Sequence, residues 1–163
     1  MRLLFGFTLL FLVFQWGYQH LRATIIEHIV IDIVTVKPSA AAINWLSPEE
    51  RVVTKGHQII SHTTRLSILN GCEGTEAWFL LIAAILAYKN NWRDKCIGLI
   101  TGTLFVYCLN QARIIGLYFA LQQDRALFAA LHGYVGPTLI VVMICLFFVG
   151  WIQWSRRSHP KTA

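Results

Sequence analysis

The chain has 163 residues, of which 56% are hydrophobic and 13% are charged, and its formal net charge is +6. This composition is too apolar and too poor in charge for a soluble domain of this length, so lipid must be the solvent for much of the chain. The positive charge does not indicate a nucleic-acid partner, because the basic residues are scattered between apolar runs and cluster beside their ends, where membrane topology explains them.

The first apolar run covers residues 3–18, directly after Arg2. At ~1.5 Å rise per residue it predicts a slightly short membrane-spanning helix. A cleaved signal peptide is the alternative interpretation. The minimal basic region before the run and the lack of a small-x-small cleavage site after it favour an uncleaved signal anchor.

Residues 19–72 are predicted to lie outside the membrane. Short apolar stretches alternate there with prolines, a Ser/Thr-rich run and charges of both signs. The stretch 24–36 contains Glu27, His28 and Asp32, so we expect it to lie at the interface or to pack on the helices rather than to cross the bilayer. The secondary structure of this outer segment stays open, and we expect the segment to help cover the functional site.

Three further apolar runs predict spanning helices over residues 74–88, 96–121 and 133–154. The basic turn KNNWRDK at 89–95 separates the first two and belongs in the cytoplasm. Aromatic residues near the ends of the last run suit the two membrane interfaces.

The distribution of Lys and Arg near the span ends predicts that both termini lie inside the cell. The basic residues on the inner side are Arg2, Lys89, Arg93, Lys95, Arg156, Arg157 and Lys161. The predicted fold class is therefore an all-α integral membrane protein of the cytoplasmic membrane. It is expected to be a bundle of about four transmembrane helices in a single domain over residues 1–163, with residues 19–72 and 122–132 outside.

The predicted topology distinguishes the four cysteines. Cys96 begins the third helix on the inner side, Cys108 and Cys145 fall near the middle of the bilayer, and only Cys72 reaches the outer face. Outer compartments are usually oxidising, yet the chain offers Cys72 no second outer cysteine, so we expect a free thiol. Two alternatives are a small residue packed at a helix end and an intermolecular disulfide.

The neighbours of Cys72 favour a reactive role. In NGCEG the cysteine stands at the mouth of the second helix, where free N–H groups and the positive end of the helix dipole favour a thiolate. Arg113 lies inside the third apolar run, about 25 Å up the helix at ~1.5 Å per residue, at the level of Cys72. Snorkelling into the head groups is the alternative for Arg113, and Glu73 and Glu76 are available as charge partners.

His132 opens the fourth helix in LHGYVGP, again on the outer side. Alone it would be an ordinary residue at a helix end. Together, Cys72, Arg113 and His132 come from three helices at one depth, and a cysteine beside a histidine is a workable nucleophile and acid/base pair. The three residues indicate acyl transfer.

No metal or other cofactor is predicted. The remaining outer histidines lack a ligand spacing backed by a second cluster, and the sequence has no CxxC, HExxH or haem motif. These histidines are His20, His28, His57 and His62.

The segments NGCEGTEAWF, NQARIIGLYFA and LHGYVGP resemble, in order, the motifs of the exosortase/archaeosortase family, over about residues 65–150. The resemblance implies a membrane cysteine transpeptidase whose protein partners are exported substrates with a C-terminal sorting signal: a short motif, a transmembrane helix and a basic tail. It further implies that Cys72 is the nucleophile, that Arg113 is the arginine of the NxxR motif and that His132 is the family histidine. Asn110 matches the asparagine of NxxR, which could orient Arg113.

Two features depart from larger members of that family. Glu73 follows the cysteine where a small polar residue is common, and its charge would raise the thiol pKa unless Arg113 or His132 offsets it. The four predicted spans, against about eight in many members, indicate a short form.

The predicted mechanism is attack of Cys72 on a scissile carbonyl, protonation of the leaving amine by His132 and stabilisation of the thiolate or the oxyanion by Arg113. The residues do not distinguish hydrolysis from transfer, and the acceptor, the substrate and the oligomeric state stay open. One alternative is a non-enzymatic assembly or transport subunit in which Arg113 pairs with Glu76. Another is a metal- or haem-binding membrane subunit that uses the outer histidines.

Overall fold

The computed structural model describes residues 2–22, 24–69 and 71–158, and about 80% of it is helical. Lys161 and Asn70 of the sequence predictions lie outside these residues. The helices are α1 (Arg2–Leu21), α2 (segments Ile25–His28, Ile29–Val36 and Lys37–Leu46), α3 (Thr75–Ala87), α4 (Trp92–Gln123) and α5 (segments Arg125–Ala130, Leu131–Val135 and Gly136–Ser158).

Helices α1, α3, α4 and α5 form an antiparallel bundle. The rings of Phe14 and Tyr18 of α1 pack on Phe79 of α3. Between α4 and α5, Gly98 lies against Trp151, with so little space that a Cβ atom would be 2.5 Å from the indole nitrogen. The start of α1, the end of α5 and the turn between α3 and α4 therefore lie at one end of the bundle.

We call that end of the bundle the basic end, because it exposes Lys89, Arg93, Arg156 and Arg157. The opposite end, which contains Cys72 and His132 together with the residues packed around them, is the site end. About 27 Å of α4 separates Trp92 at the basic end from Asn110 at the site end, at 1.5 Å rise per residue. The bundle is therefore about as long as the hydrocarbon core of a bilayer is thick.

Among the described residues, three helical stretches are long and apolar enough to cross a membrane, judged by length and composition: Ile25–Leu46, Trp92–Gln123 and Arg125–Arg157. The last two contain the predicted spans 96–121 and 133–154, so the helical membrane protein is confirmed in coarse form. α3 is apolar but has only 13 residues. The count of four spans stays a prediction.

In the outer segment, whose secondary structure the sequence left open, Ile25–Leu46 is a helical stretch long and apolar enough to cross a membrane. Glu27 and Asp32, the charges that argued against a membrane crossing, line a cavity together with His57 and Leu69. Apolar side chains such as Ile25 therefore stay exposed on α2. The charged side chains of this stretch face the protein, and the expectation that residues 24–36 pack on the helices without crossing the bilayer stays a prediction.

A small antiparallel sheet corrects the all-α prediction. Its strands are β1 (Val53–Lys55), β2 (Gln58–Ile60) and β3 (Arg65–Ser67), paired in the order β1-β2-β3. Three-residue strands are too short to show the alternation by which strands are predicted. Ile59 and Leu66 point into a core shared with α2 and α4.

Two polar residues of α4 fix the outer segment to this helix by hydrogen bonds. Gln111 of α4 accepts a hydrogen bond from Ser39 of α2 and donates to the Val34 carbonyl at 3.3 Å. Above it, the Tyr118 hydroxyl donates to Glu50 at 2.7 Å. The outer part of α4 is thereby covered at the site end.

Both α2 and α5 contain a π-helical stretch, Ile29–Val36 and Leu131–Val135, that ends just before a proline. The residue before Pro38 and the residue before Pro137 each donate the backbone N–H to the carbonyl five residues back. A proline ring clashes with the carbonyl of the preceding turn, and a wider turn relieves that clash.

Candidate active site

Cys72 lies in a tight loop between the sheet and α3. The loop is flanked by Gly71 and Gly74, whose φ angles are 92° and 84°. This left-handed region suits glycine because it has no Cβ atom. The Cys72 N–H donates to the Leu69 carbonyl at 3.0 Å, which closes the turn. The glycines of NGCEG therefore set the backbone path that presents the cysteine.

Asn110 of α4 holds this loop from below. Its Nδ2 donates to the Cys72 carbonyl at 3.1 Å. A Cβ atom on Gly74 would lie 2.8 Å from Asn110 Cγ, so only glycine allows the loop to approach so closely. The resemblance suggested that Asn110 orients Arg113, but its amide positions the cysteine loop.

His132 meets Cys72 from α5. The sulfur lies 3.8 Å from His132 Nδ1 and 4.0 Å from Nε2, so it is almost equidistant from both ring nitrogens. The imidazole stacks on Phe128, with ring centroids 5.4 Å apart and planes inclined by 6°. This stacking holds the ring beside the thiol, and a small rotation of either side chain would direct one nitrogen at the sulfur.

Arg113 reaches the same region from α4. Its side chain passes over Gly136, where a Cβ atom would lie 3.0 Å from the guanidinium Nε. Nε is buried and has no hydrogen-bond partner among the described residues. Gly136 thus makes room for the arginine.

The two predicted charge partners behave differently. Glu73 is buried, and its Oε1 accepts from the Thr75 hydroxyl at 3.0 Å. Glu76 is exposed on the first turn of α3. Within the described part of the chain neither forms a salt bridge with Arg113. The pairing of Arg113 with Glu76, on which the non-enzymatic interpretation depended, is not formed there.

Burial raises the pKa of the Cys72 thiol above its ordinary value. The positive charge of Arg113 lowers this pKa, while the carboxylates of Glu73 and Glu76 raise it further. The expected preference for a thiolate is therefore outweighed at rest. The reason is structural, because Cys72 is half-buried in a loop that precedes α3 instead of standing at its first turn.

The remaining cysteines lie apart from this site: Cys96, Cys108 and Cys145 are exposed and free. Among the described residues no group of three or more His, Cys, Asp or Glu side chains could hold a metal ion. Cys72 is also a free thiol.

The contacts that assemble the site were not predictable from the sequence motifs. Gly74 and Gly136 were visible in the motifs, but their purpose depends on Asn110 and Arg113, which belong to another helix. The presence of glycine in each motif was the only sequence signal that another segment of the chain packs closely against it.

The motifs and the geometry agree with a comparison at family level. The profile Exosortase_EpsH, described as transmembrane exosortase, matches residues 1–158. No curated protein and no solved structure matches the chain. The match covers nearly the whole sequence and confirms the resemblance carried by the three motifs, and the chain therefore belongs to the transmembrane exosortase family.

Proposed function

We propose that this protein is a membrane cysteine peptidase or transpeptidase that cleaves exported proteins at a C-terminal sorting signal, with Cys72 as nucleophile. Membership of the family supports an enzyme of this kind. The observation that carries the proposal is the contact of 3.8 Å between Cys72 Sγ and His132 Nδ1, two residues far apart in sequence.

In the first step His132 accepts the thiol proton as the Cys72 sulfur bonds to the scissile carbonyl carbon. Because burial raises the pKa of Cys72, the resting nucleophile is the thiol, and proton transfer accompanies attack. The carbonyl π electrons move to oxygen and form a tetrahedral oxyanion.

Arg113 stabilises the negative charge of this step. Its charge already lowers the pKa of Cys72, and its buried Nε has no partner among the described residues. A donor held in place before the reaction costs little reorganisation when the oxyanion forms, and such a donor contributes about 3–4 kcal/mol.

In the second step the intermediate collapses and the C–N bond breaks. Protonated His132 gives its proton to the leaving amine, which departs with the C-terminal segment, and a thioester remains on Cys72. Water or an amine acceptor then attacks the thioester and restores the thiol. Hydrolysis and transfer share the first half of this cycle.

We further propose that the four bundle helices cross the cytoplasmic membrane with the basic end in the cytoplasm, because positively charged flanks are retained there. The site end then faces the extracytoplasmic side, where exported substrates arrive. The exposed Lys89, Arg93, Arg156 and Arg157 support this orientation.

The test is co-expression with membrane proteins of the same genome that carry a C-terminal helix and a basic tail. We expect a size shift with the wild type and its loss, by about a thousandfold or more in rate, in Cys72→Ala. Cys108→Ala is the matched control, because it removes an exposed thiol outside the site. Mass spectrometry of the new C-terminus would distinguish hydrolysis from transfer. Unchanged processing in Cys72→Ala would overturn the nucleophile.

A further inference from the structure

A lateral groove runs down the bundle from the site. Its upper part is a cavity of about 240 Å³ between α2, α3 and α4, and its lower part is a cavity of about 560 Å³ between α3 and α4. The two parts share Trp78, Thr103 and Tyr107. They therefore form one continuous groove.

The groove is apolar along its lower part and opens sideways. Its walls there include Ile100 and Leu104, which are 71% and 63% exposed. Along α4 it extends from Asn110 to Leu99, about 17 Å at 1.5 Å rise per residue. In a membrane protein such a surface faces lipid or another apolar segment.

The upper end of the groove differs, because it contains two buried acceptors without donors. Glu73 and Asn110 both line the groove and are 7% and 4% exposed. Within the described residues Glu73 Oε2 and Asn110 Oδ1 have no hydrogen-bond partner. The Tyr18 hydroxyl lies near Glu73, but it too forms no hydrogen bond of normal geometry there. Buried acceptors left unpaired cost free energy, so this end of the groove suits a ligand that donates hydrogen bonds.

We propose that the groove binds the N-terminal part of the substrate's membrane helix, with the free N–H groups of its first turn directed at Glu73 and Asn110. The first turn of any helix has N–H groups without intrahelical partners and the positive end of the helix dipole. Both features complement a buried carboxylate and an amide oxygen. This inference rests on the proposed function and specifies where its substrate lies.

The position of the groove relative to Cys72 agrees with a substrate helix as its occupant. Asn110 bonds the Cys72 carbonyl through Nδ2 and lines the groove with the same side chain. A helix that begins at Asn110 therefore has its preceding residues beside Cys72. A lipid chain has no donors for the two acceptors, and a helix C-terminus would present carbonyls to them.

Cross-linking tests the occupant. A photoreactive amino acid replaces Tyr107 in the groove or, as matched control, Val142 of α5, in a Cys72→Ala background that retains uncleaved substrate. Val142 lies at about the depth of Tyr107, because both residues fall midway between two facing pairs, Gly102 with Phe147 and Arg113 with Gly136. The Val142 side chain is 48% exposed. We expect cross-links from position 107 to the membrane helix of a co-expressed substrate, at least tenfold above those from position 142.

The outcomes separate the groove from the enzyme. The groove assignment is overturned, and the proposed function stands, if the wild-type protein processes the substrate but position 107 cross-links only lipid or a second copy of this chain. The same conclusion follows if position 107 cross-links the substrate no more than position 142 does. If no processing occurs in wild type, both are overturned.

A second measurement tests the acceptors. With purified protein and a synthetic peptide of the sorting-signal helix, we expect Glu73→Gln to raise KM by roughly fivefold, because the carboxylate no longer attracts the helix dipole. Glu49→Gln is the control, since Glu49 is exposed and away from the groove. An unchanged KM in Glu73→Gln would contradict the charge complementarity on which the inference depends.

Discussion

The two ends of the bundle differ in whether their buried polar groups have hydrogen-bond partners. At the basic end, Asp94 is buried and accepts from the Ser155 hydroxyl, its carbonyl accepts from the Trp151 indole at 3.0 Å, and Asn90 donates to Ser155 at 2.6 Å. At the site end, the described residues leave buried polar atoms of Glu73, Asn110 and Arg113 without partners.

The basic end is therefore built for stability, and the site end is arranged for chemistry. Satisfied networks and close glycine contacts hold helices together. Unpaired buried donors and acceptors weaken a fold, so they are expected where a substrate supplies the missing partners. Variants at the two ends should therefore affect different properties.

The largest effect is expected for His132→Ala. Loss of the group that takes the Cys72 proton should reduce the processing rate by about 10²–10⁴-fold. Thermal unfolding should change little, because His132 is only partly buried, stacked on Phe128 beside Cys72. His62→Ala, an exposed histidine of the outer segment, should process normally. Equal rates in the two variants would exclude His132 as the base.

An intermediate effect on stability is expected for Gly98→Ala at the basic end. The new methyl group would collide with the Trp151 ring, at 2.5 Å from its nitrogen, and should lower the free energy of unfolding by about 1–3 kcal/mol. Processing should persist below the lowered Tm. The control is Gly150→Ala, where nothing lies within 4 Å and the better helix former should cost nothing. A similar Tm for both would contradict the tight contact between α4 and α5.

The smallest effect concerns pH. In a protein whose other three cysteines are replaced by alanine, the rate of Cys72 alkylation should rise with pH to a midpoint above the usual thiol range of about 8.5, because burial raises its pKa and only the thiolate reacts. Arg113→Gln removes the charge that lowers the pKa and should move the midpoint to higher pH.

Glu73→Gln removes a carboxylate that raises the pKa of Cys72 and should move the same midpoint to lower pH. In urea-unfolded protein the midpoint should return to the usual range, which controls for the reagent. A wild-type midpoint on the acid side of about 8.5 would show that the pKa of Cys72 is lowered and not raised.

The apolar runs predicted the helices and their order, and the positions of Cys72, Arg113 and His132 along those runs predicted that the three residues share one depth. Hydrophobic runs and charge flanks report the local solvent of each segment, and rise per residue converts position into depth. For the same reason α4 and α5 contain the predicted third and fourth spans.

The partners of each side chain are visible only in the folded protein. The bond from Asn110 to the Cys72 carbonyl, the passage of Arg113 over Gly136 and the sheet that packs on α2 and α4 all join segments far apart in the chain. Such contacts depend on how helices pack, and no local pattern encodes them. The cavity that Glu27 and Asp32 of α2 line together with His57 is another such contact, and the apolar side chain of Ile25 stays exposed.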